Sequence, residues 1–110
     1  MKKVALDFQK NNGLIPTVVQ DVETGAVLML GFMNERAFEK TQKSGWVYFW
    51  SRSRNKLWMK GELSSNKLKV QEIFSDCDQD TLLIKAIMIG GSVCHTGNQT
   101  CFFTKLNTKI

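Results

Sequence analysis

Five residues, Asp76-Cys77-Asp78-Gln79-Asp80, constrain this chain more than any other stretch. Read as an extended strand, they alternate between two faces with period two. Asp76, Asp78 and Asp80 then point one way and Cys77 the other. Three carboxylates on one face suit a hard cation, and a thiolate on the opposite face suits a softer metal. The remaining cysteines, Cys94 and Cys101, and the only histidine, His95, follow within 25 residues. The segment is therefore expected to feed two metal sites, one on each side.

The length of 110 residues fits one domain over 1–110. A hydrophobic share of 43% is enough for a packed core. The formal net charge of +5, from 15 basic and 10 acidic residues, points to an anionic partner such as a phosphate ester or nucleic acid. No apolar run approaches a membrane span, and Asp7, Gln9 and Lys10 interrupt any signal-peptide core. A cytoplasmic location is the expectation. In a reducing medium an odd set of three cysteines reads better as metal ligands or reactive thiols than as disulfides.

Along the chain, residues 1–10 give a weak signal for a short helical turn. Residues 14–22 and 26–33 read as a hairpin around Gly25, its second strand apolar enough to be buried on both faces. Asn34 is a helix N-cap with Glu35 in the first turn, and Gly45 is the stop. The helix spans residues 34–44 and turns Ala37, Phe38 and Thr41 to the core. Residues 46–50 read as a strand, and a second begins at Lys56. Leu68, Val70, Glu72 and Phe74 form an alternating run, residues 82–89 are strand-like up to Gly90-Gly91, and residues 101–106 give a last strand. One helix among about seven strands predicts a β-dominated, mainly antiparallel fold, a barrel or strongly curved sheet.

The cysteines are spaced C-x16-C-x6-C, without the paired knuckles of a structural zinc site. Three protein ligands and an open position describe a catalytic zinc, where a bound water is the nucleophile. His95, beside Cys94, is the imidazole available for acid–base work. A lone cysteine would be read as a buried apolar residue; three with the sole histidine favour the metal. Nothing in the spacing decides whether one chain supplies all three thiolates or a dimer shares the site. The acidic triplet resembles the start of an EF-hand loop, but Thr81 and Ile87 stand where glycine and glutamate are required. Magnesium held by carboxylates and a substrate phosphate remains, against the plainer reading of a solvated acidic edge. Trp50-Ser51-Arg52-Ser53-Arg54, with Lys56 and Lys60, offers guanidinium forks for phosphate, and Trp46 and Trp50 offer rings for a base. Alone it would be an ordinary basic turn; beside a metal-bearing segment it reads as a nucleotide-phosphate site.

These residues resemble one family in order along the chain. Asn12-Gly13-Leu14-Ile15-Pro16, Trp50-Ser51-Arg52-Ser53-Arg54, Lys60-Gly61-Glu62, Asp76-Cys77-Asp78-Gln79-Asp80 and Cys94-His95-Thr96-Gly97 through Cys101-Phe102-Phe103 follow the pattern of phosphoribosyl-AMP cyclohydrolases of histidine biosynthesis. The resemblance covers roughly residues 12–103. It implies hydrolysis of phosphoribosyl-AMP between N1 and C6 of the adenine ring, giving the formimino aminoimidazole carboxamide ribonucleotide. It also implies zinc on Cys77, Cys94 and Cys101, magnesium on Asp76, Asp78 and Asp80, and a homodimer in which Cys77 completes the partner subunit's zinc site. No fused pyrophosphohydrolase domain, such as some relatives carry, is expected. His95 takes the proton-transfer part, and Arg52 and Arg54 hold phosphates.

The chain departs from the pattern at two places. Tyr48-Phe49-Trp50 stands where His-Tyr-Trp is common, and Glu62-Leu63-Ser64-Ser65-Asn66 where Glu-Thr-Ser-Gly-His is common. The lost histidines, at Tyr48 and Asn66, keep a related purine-ring amidohydrolase or deaminase as the rival enzyme. The H-x-E and P-C-x-x-C signatures of zinc deaminases are missing, however. The rival of another class is a zinc-bearing nucleic-acid-binding module, which the acidic triplet opposes. The expected partners are thus a small-molecule substrate and a second copy of the chain, with no nucleic acid and no membrane.

Overall fold

The computed structural model describes residues 5–108. Six strands and one helix follow in the order β1 (Ile15–Asp21), β2 (Val27–Met33), α1 (Glu35–Ser44), β3 (Tyr48–Ser51), β4 (Lys56–Met59), β5 (Lys67–Ser75) and β6 (Leu82–Ile89). The expected helical turn lies partly outside the described residues. Within them, residues 5–8 have no regular structure and a turn occupies residues 9–13.

The fold is β-dominated with one helix, as expected, but the sheet does not close. Four strands form one sheet in the order β2-β1-β6-β5, and β3 pairs with β4 in a separate two-stranded ribbon. Three pairings are antiparallel, while β1 and β6 run parallel from Thr17↔Leu82 to Asp21↔Ala86. The sheet is therefore mixed and open rather than a barrel. A parallel pair needs a long crossover between its strands. Here that crossover includes α1 and the ribbon.

The β1–β2 hairpin forms where expected, with a bulge between Val19 and Gln20. Its second strand is not buried on both faces. β2 is a sheet edge, and Val27 and Leu30 remain 45% and 43% exposed. Alternation does set the buried face of the two central strands: Ile15, Thr17 and Val19 of β1 and Leu82, Ile84 and Ala86 of β6 are sealed from solvent. In β5 the expected alternation breaks. A register shift between Val70 and Glu72 inserts an extra residue, so Ile73 packs on the core and Phe74 turns outward. A bulge reverses the phase of a strand without altering its composition, so the residue pattern alone misassigns Phe74.

The helix matches the reading of its ends. The Asn34 side chain accepts from Ala37 N–H at 2.9 Å, an N-cap of about 1 kcal/mol. Gly45 closes it at φ 79°, donating its N–H to Thr41 carbonyl. Ala37 and Thr41 are buried, and Phe38 packs at the core's edge. The buried Thr41 hydroxyl donates to Ala37 carbonyl and accepts Tyr48 N–H, tying α1 to β3. Phe49 is the largest side chain that is fully buried. A Cβ on Gly31 would lie 2.5 Å from its ring, so β2 admits the ribbon only because residue 31 lacks a side chain.

The seventh strand is absent. Residues 101–108 are exposed and without regular structure. They begin by bonding to the free edge of β2, through Thr100 hydroxyl to Val27 carbonyl and Cys101 N–H to Leu28 carbonyl. No helix among the described residues is long and apolar enough to cross a membrane.

Candidate active site

The ribbon, the edge strand β2 and the loop after β4 enclose an open cleft of about 900 Å³. Trp50, Ser51, Arg52, Ser53 and Arg54 line it together with His95, which the chain brings in from 41 residues beyond Arg54. The turn between β3 and β4 is held by the Ser51 hydroxyl, which accepts Arg54 N–H at 3.1 Å, and by Asn55 N–H on Ser51 carbonyl. Asn55 takes a left-handed φ of 55° to complete it. Arg52 stacks on Phe32, its guanidinium carbon 3.9 Å from the ring centroid. Stacking restricts a long side chain while leaving its N–H fork free for an anion.

His95 sits in the tight turn after β6. Gly97 N–H returns to Cys94 carbonyl and Cys94 N–H to Asn98 carbonyl. Cys94 is buried; its sulfur accepts the Thr96 hydroxyl at 3.1 Å. That hydrogen bond, with the Thr96 backbone, holds the Cys94 thiol below its ordinary range, aided by Cys101 and the Lys60 charge. Cys101 is shifted the opposite way. Desolvation of its thiol pushes it up even though the residue as a whole is exposed, and the hydrogen bond and charge of Cys94 add to this. Cys94 and Cys101 are thus shifted in opposite directions, Cys94 down and Cys101 up, each partly through the other.

Residues 76–80 are a turn, not an extended strand, because β5 ends at Ser75. Asp76 Oδ1 accepts the N–H groups of Asp80 and Thr81, and Gln79 takes φ 59°. The three carboxylates nevertheless converge, with ligand atoms within 4.8 Å of one another. Loop closure, not strand alternation, brings them together. A trio this close fits a hard divalent cation. Asp7 N–H bonds Gln79 carbonyl, and Lys10 Nζ lies 3.1 Å from Asp80 and 3.6 Å from Asp78. Lys10 has no local sequence signal, since only tertiary packing brings residue 10 to residue 80.

Cys77 is exposed, and its thiol donates to Asp78 at 3.6 Å. Among the described residues the carboxylate trio is the only cluster of three or more candidate metal ligands within such reach, so Cys77 does not join Cys94 and Cys101 within one chain. Neither Cys77 nor the acidic trio lines the cleft. Cys94 and Cys101 do present two soft donors together, which fits part of a zinc ligand set.

The positions of the two lost histidines, Tyr48 and Asn66, lie off the cleft, whereas Phe49 and Leu63 in the same two stretches line it. Tyr48 faces a hollow beside α1 with Lys40 over its ring. Asn66 clamps the turn after β6, accepting Gly91 N–H and donating to Ser92. Met29 and Phe32 on β2 and Glu62 after β4 are cleft residues that residue-type reasoning assigned no role, while Lys60 joins the basic turn there as expected.

A small mixed-sheet protein with a basic, aromatic cleft, one imidazole in that cleft and two kinds of metal-ligand donor on its loops defines an enzyme class: a hydrolase for a phosphorylated small molecule. Residues 29–103 match the family model described as phosphoribosyl-AMP cyclohydrolase. The chain belongs to the phosphoribosyl-AMP cyclohydrolase family. It is 54% identical over 99 residues to the phosphoribosyl-AMP cyclohydrolase of Desulfatibacillum aliphaticivorans, covering 90% of this chain and 79% of that protein. It is 52% identical over 102 residues to that of Solibacter usitatus, 93% and 81% of the two chains. With that of Streptococcus mutans serotype c it shares 51% over 106 residues, 96% of each.

Proposed function

We infer that this chain hydrolyses phosphoribosyl-AMP, opening the adenine ring at N1–C6 in histidine biosynthesis. The observation that carries the reading is one cleft holding Trp50, Arg52, Arg54 and His95, in a chain about half identical to cyclohydrolases along nearly its whole length. Arg52 and Arg54 bind substrate phosphate as charged forks, with the serine hydroxyls of Ser51 and Ser53 beside them. Trp50 supplies an aromatic face for the base. His95 moves a proton at the reacting ring. The purine deaminase reading is not favoured, and Tyr48 and Asn66, which prompted it, stand away from the cleft.

Cys94 and Cys101, with Cys77 of a second copy, would hold zinc. A zinc ion there supplies Lewis-acid activation of the attacking water. Asp76, Asp78 and Asp80 would hold magnesium and help neutralise substrate phosphate. Two separations favour a homodimer: Cys77 lies apart from the thiol pair, and the acidic loop lies apart from the cleft. A second copy would supply Cys77 to the thiol pair and the acidic loop to the cleft. The reading includes a cytoplasmic enzyme of one domain.

The test is incubation of purified, metal-replete protein with phosphoribosyl-AMP and chromatographic identification of the product. The ring-opened formimino compound is expected. Ammonia release, or no turnover, would refute the assignment.

A further inference from the structure

We propose that Glu62 is a catalytic residue of this site, the acceptor that takes the proton from the attacking water while His95 serves the departing nitrogen. This rests on the cyclohydrolase reading above and deepens it. Among the described residues lining the cleft, the side chains of Arg52, Arg54, Lys56 and Lys60 are cationic, Glu62 is the only carboxylate, and His95 is the only imidazole. Arginine does not exchange protons under these conditions, and ordinary lysine is a poor acceptor near neutrality. Two groups suited to proton exchange therefore remain.

The reaction requires two. The water oxygen forms a bond to C6, and the C6–N1 pair departs with N1. In the neutral imino form of the ring, one water proton ends on the exocyclic nitrogen, completing the carboxamide, and the other replaces the proton delivered to N1. Glu62 accepts the first and passes it to the exocyclic nitrogen. His95 delivers a proton to N1 and recovers one from the new C6 hydroxyl as the carbonyl forms. Both residues return to their starting state, and no oxidant or further reactant is needed.

The loop holds Glu62 for this task. Gly61 adopts φ 88°, and any side chain there would collide with the backbone of Asn66 and Lys67. Glu62 N–H bonds Met59 carbonyl and Ser65 N–H bonds Gly61 carbonyl, so both sides of the turn are fixed. The Glu62 carboxylate is exposed and enters no salt bridge among the described residues, despite the four cations around the same cleft. A carboxylate with a structural role would be expected to pair with one of them.

Glu62→Gln keeps the size and removes proton acceptance. In metal-replete protein, kcat is expected to fall about 10²–10⁴-fold with KM changed less than about threefold, and the acidic limb of the kcat–pH profile should disappear. Glu62→Asp should retain that limb at a reduced rate. A Gln variant with near-parent kcat and an unchanged profile would overturn the proposal, as would a rise in KM alone, which would make Glu62 a binding group. Failure of the parent chain to turn over phosphoribosyl-AMP would instead sink the cyclohydrolase reading, and with it the proposal that rests on it.

Discussion

The ammonium of Lys10 lies 3.1 Å from a carboxylate oxygen of Asp80, bridging 70 residues of sequence to reach the acidic loop. Lys10 also meets Asp78 at 3.6 Å, so it neutralises part of the same trio that would bind a divalent cation. Its pKa is raised above the ordinary lysine value, first by the hydrogen bond to Asp80 and then by that carboxylate's charge. A raised folded-state pKa means that the bond stabilises the fold at neutral pH and is lost only as pH rises through that value.

A divalent ion and Lys10 compete for the same oxygens. Lys10→Met should therefore tighten Mn2+ binding at the trio only modestly, by about 2–5-fold, since exposed ion pairs are weak and screened by solvent. Calorimetric titration of metal-free protein at low salt measures this. Unchanged or weaker binding would mean that Lys10 helps to organise the carboxylates instead.

The thiol pair should titrate asymmetrically. Cys94 is held low chiefly by the Thr96 hydroxyl, and Cys101 is pushed up by desolvation and by Cys94. In metal-free protein, the pH midpoint for alkylation should be lower for Cys94 than for Cys101, as followed by peptide mass spectrometry. Thr96→Val should raise the Cys94 midpoint. The midpoint is the readout because burial of Cys94 slows its absolute rate.

Arg52 is both stacked and charged. Arg52→Ala should raise KM for phosphoribosyl-AMP about 10–100-fold, the scale of one or two charge-assisted hydrogen bonds of about 1.5–3 kcal/mol. Arg52→Lys should recover little of this, because an ammonium neither forks nor stacks like a guanidinium. Steady-state kinetics of the two variants decide it; full recovery by lysine would leave only the charge as important.

If Cys77 serves the partner subunit, two different inactive variants should rescue each other. Cys77→Ala and Cys94→Ala subunits, mixed and re-equilibrated, should recover up to about one quarter of parent activity, since a heterodimer restores one intact zinc site. Zinc content should rise in step. Confirmed heterodimers with no gain in zinc or turnover would place all the ligands within one subunit.

Local signals carried much of the fold. Asn34 and Gly45 bound α1 because an N-cap side chain and a left-handed stop act on their immediate neighbours. The turn around Gly25 and the apolar runs around it were equally readable, as were the basic turn at residues 51–55 and the strand ending before Gly90. The order of motifs along the chain carries the family pattern by itself. What went astray depended on distant partners. The apolar composition of β2 predicted double burial, but its position at the sheet edge leaves Leu30 exposed. The bulge near Gln71 turned Phe74 outward, and residues 101–106 found no strand to pair with along their length.

Sequence by itself determined which chemical groups this protein owns: three thiols, one imidazole, an acidic triplet and a basic aromatic turn. Only the tertiary structure decided which of them meet. His95 and Glu62 line the cleft with Arg52, Cys77 stands apart from Cys94 and Cys101, and Lys10 closes on Asp80. Residue type and short-range periodicity are properties of neighbours in the chain. Proximity across 30 to 70 residues is set by sheet order, bulges and loop closure, which depend on packing of the whole core.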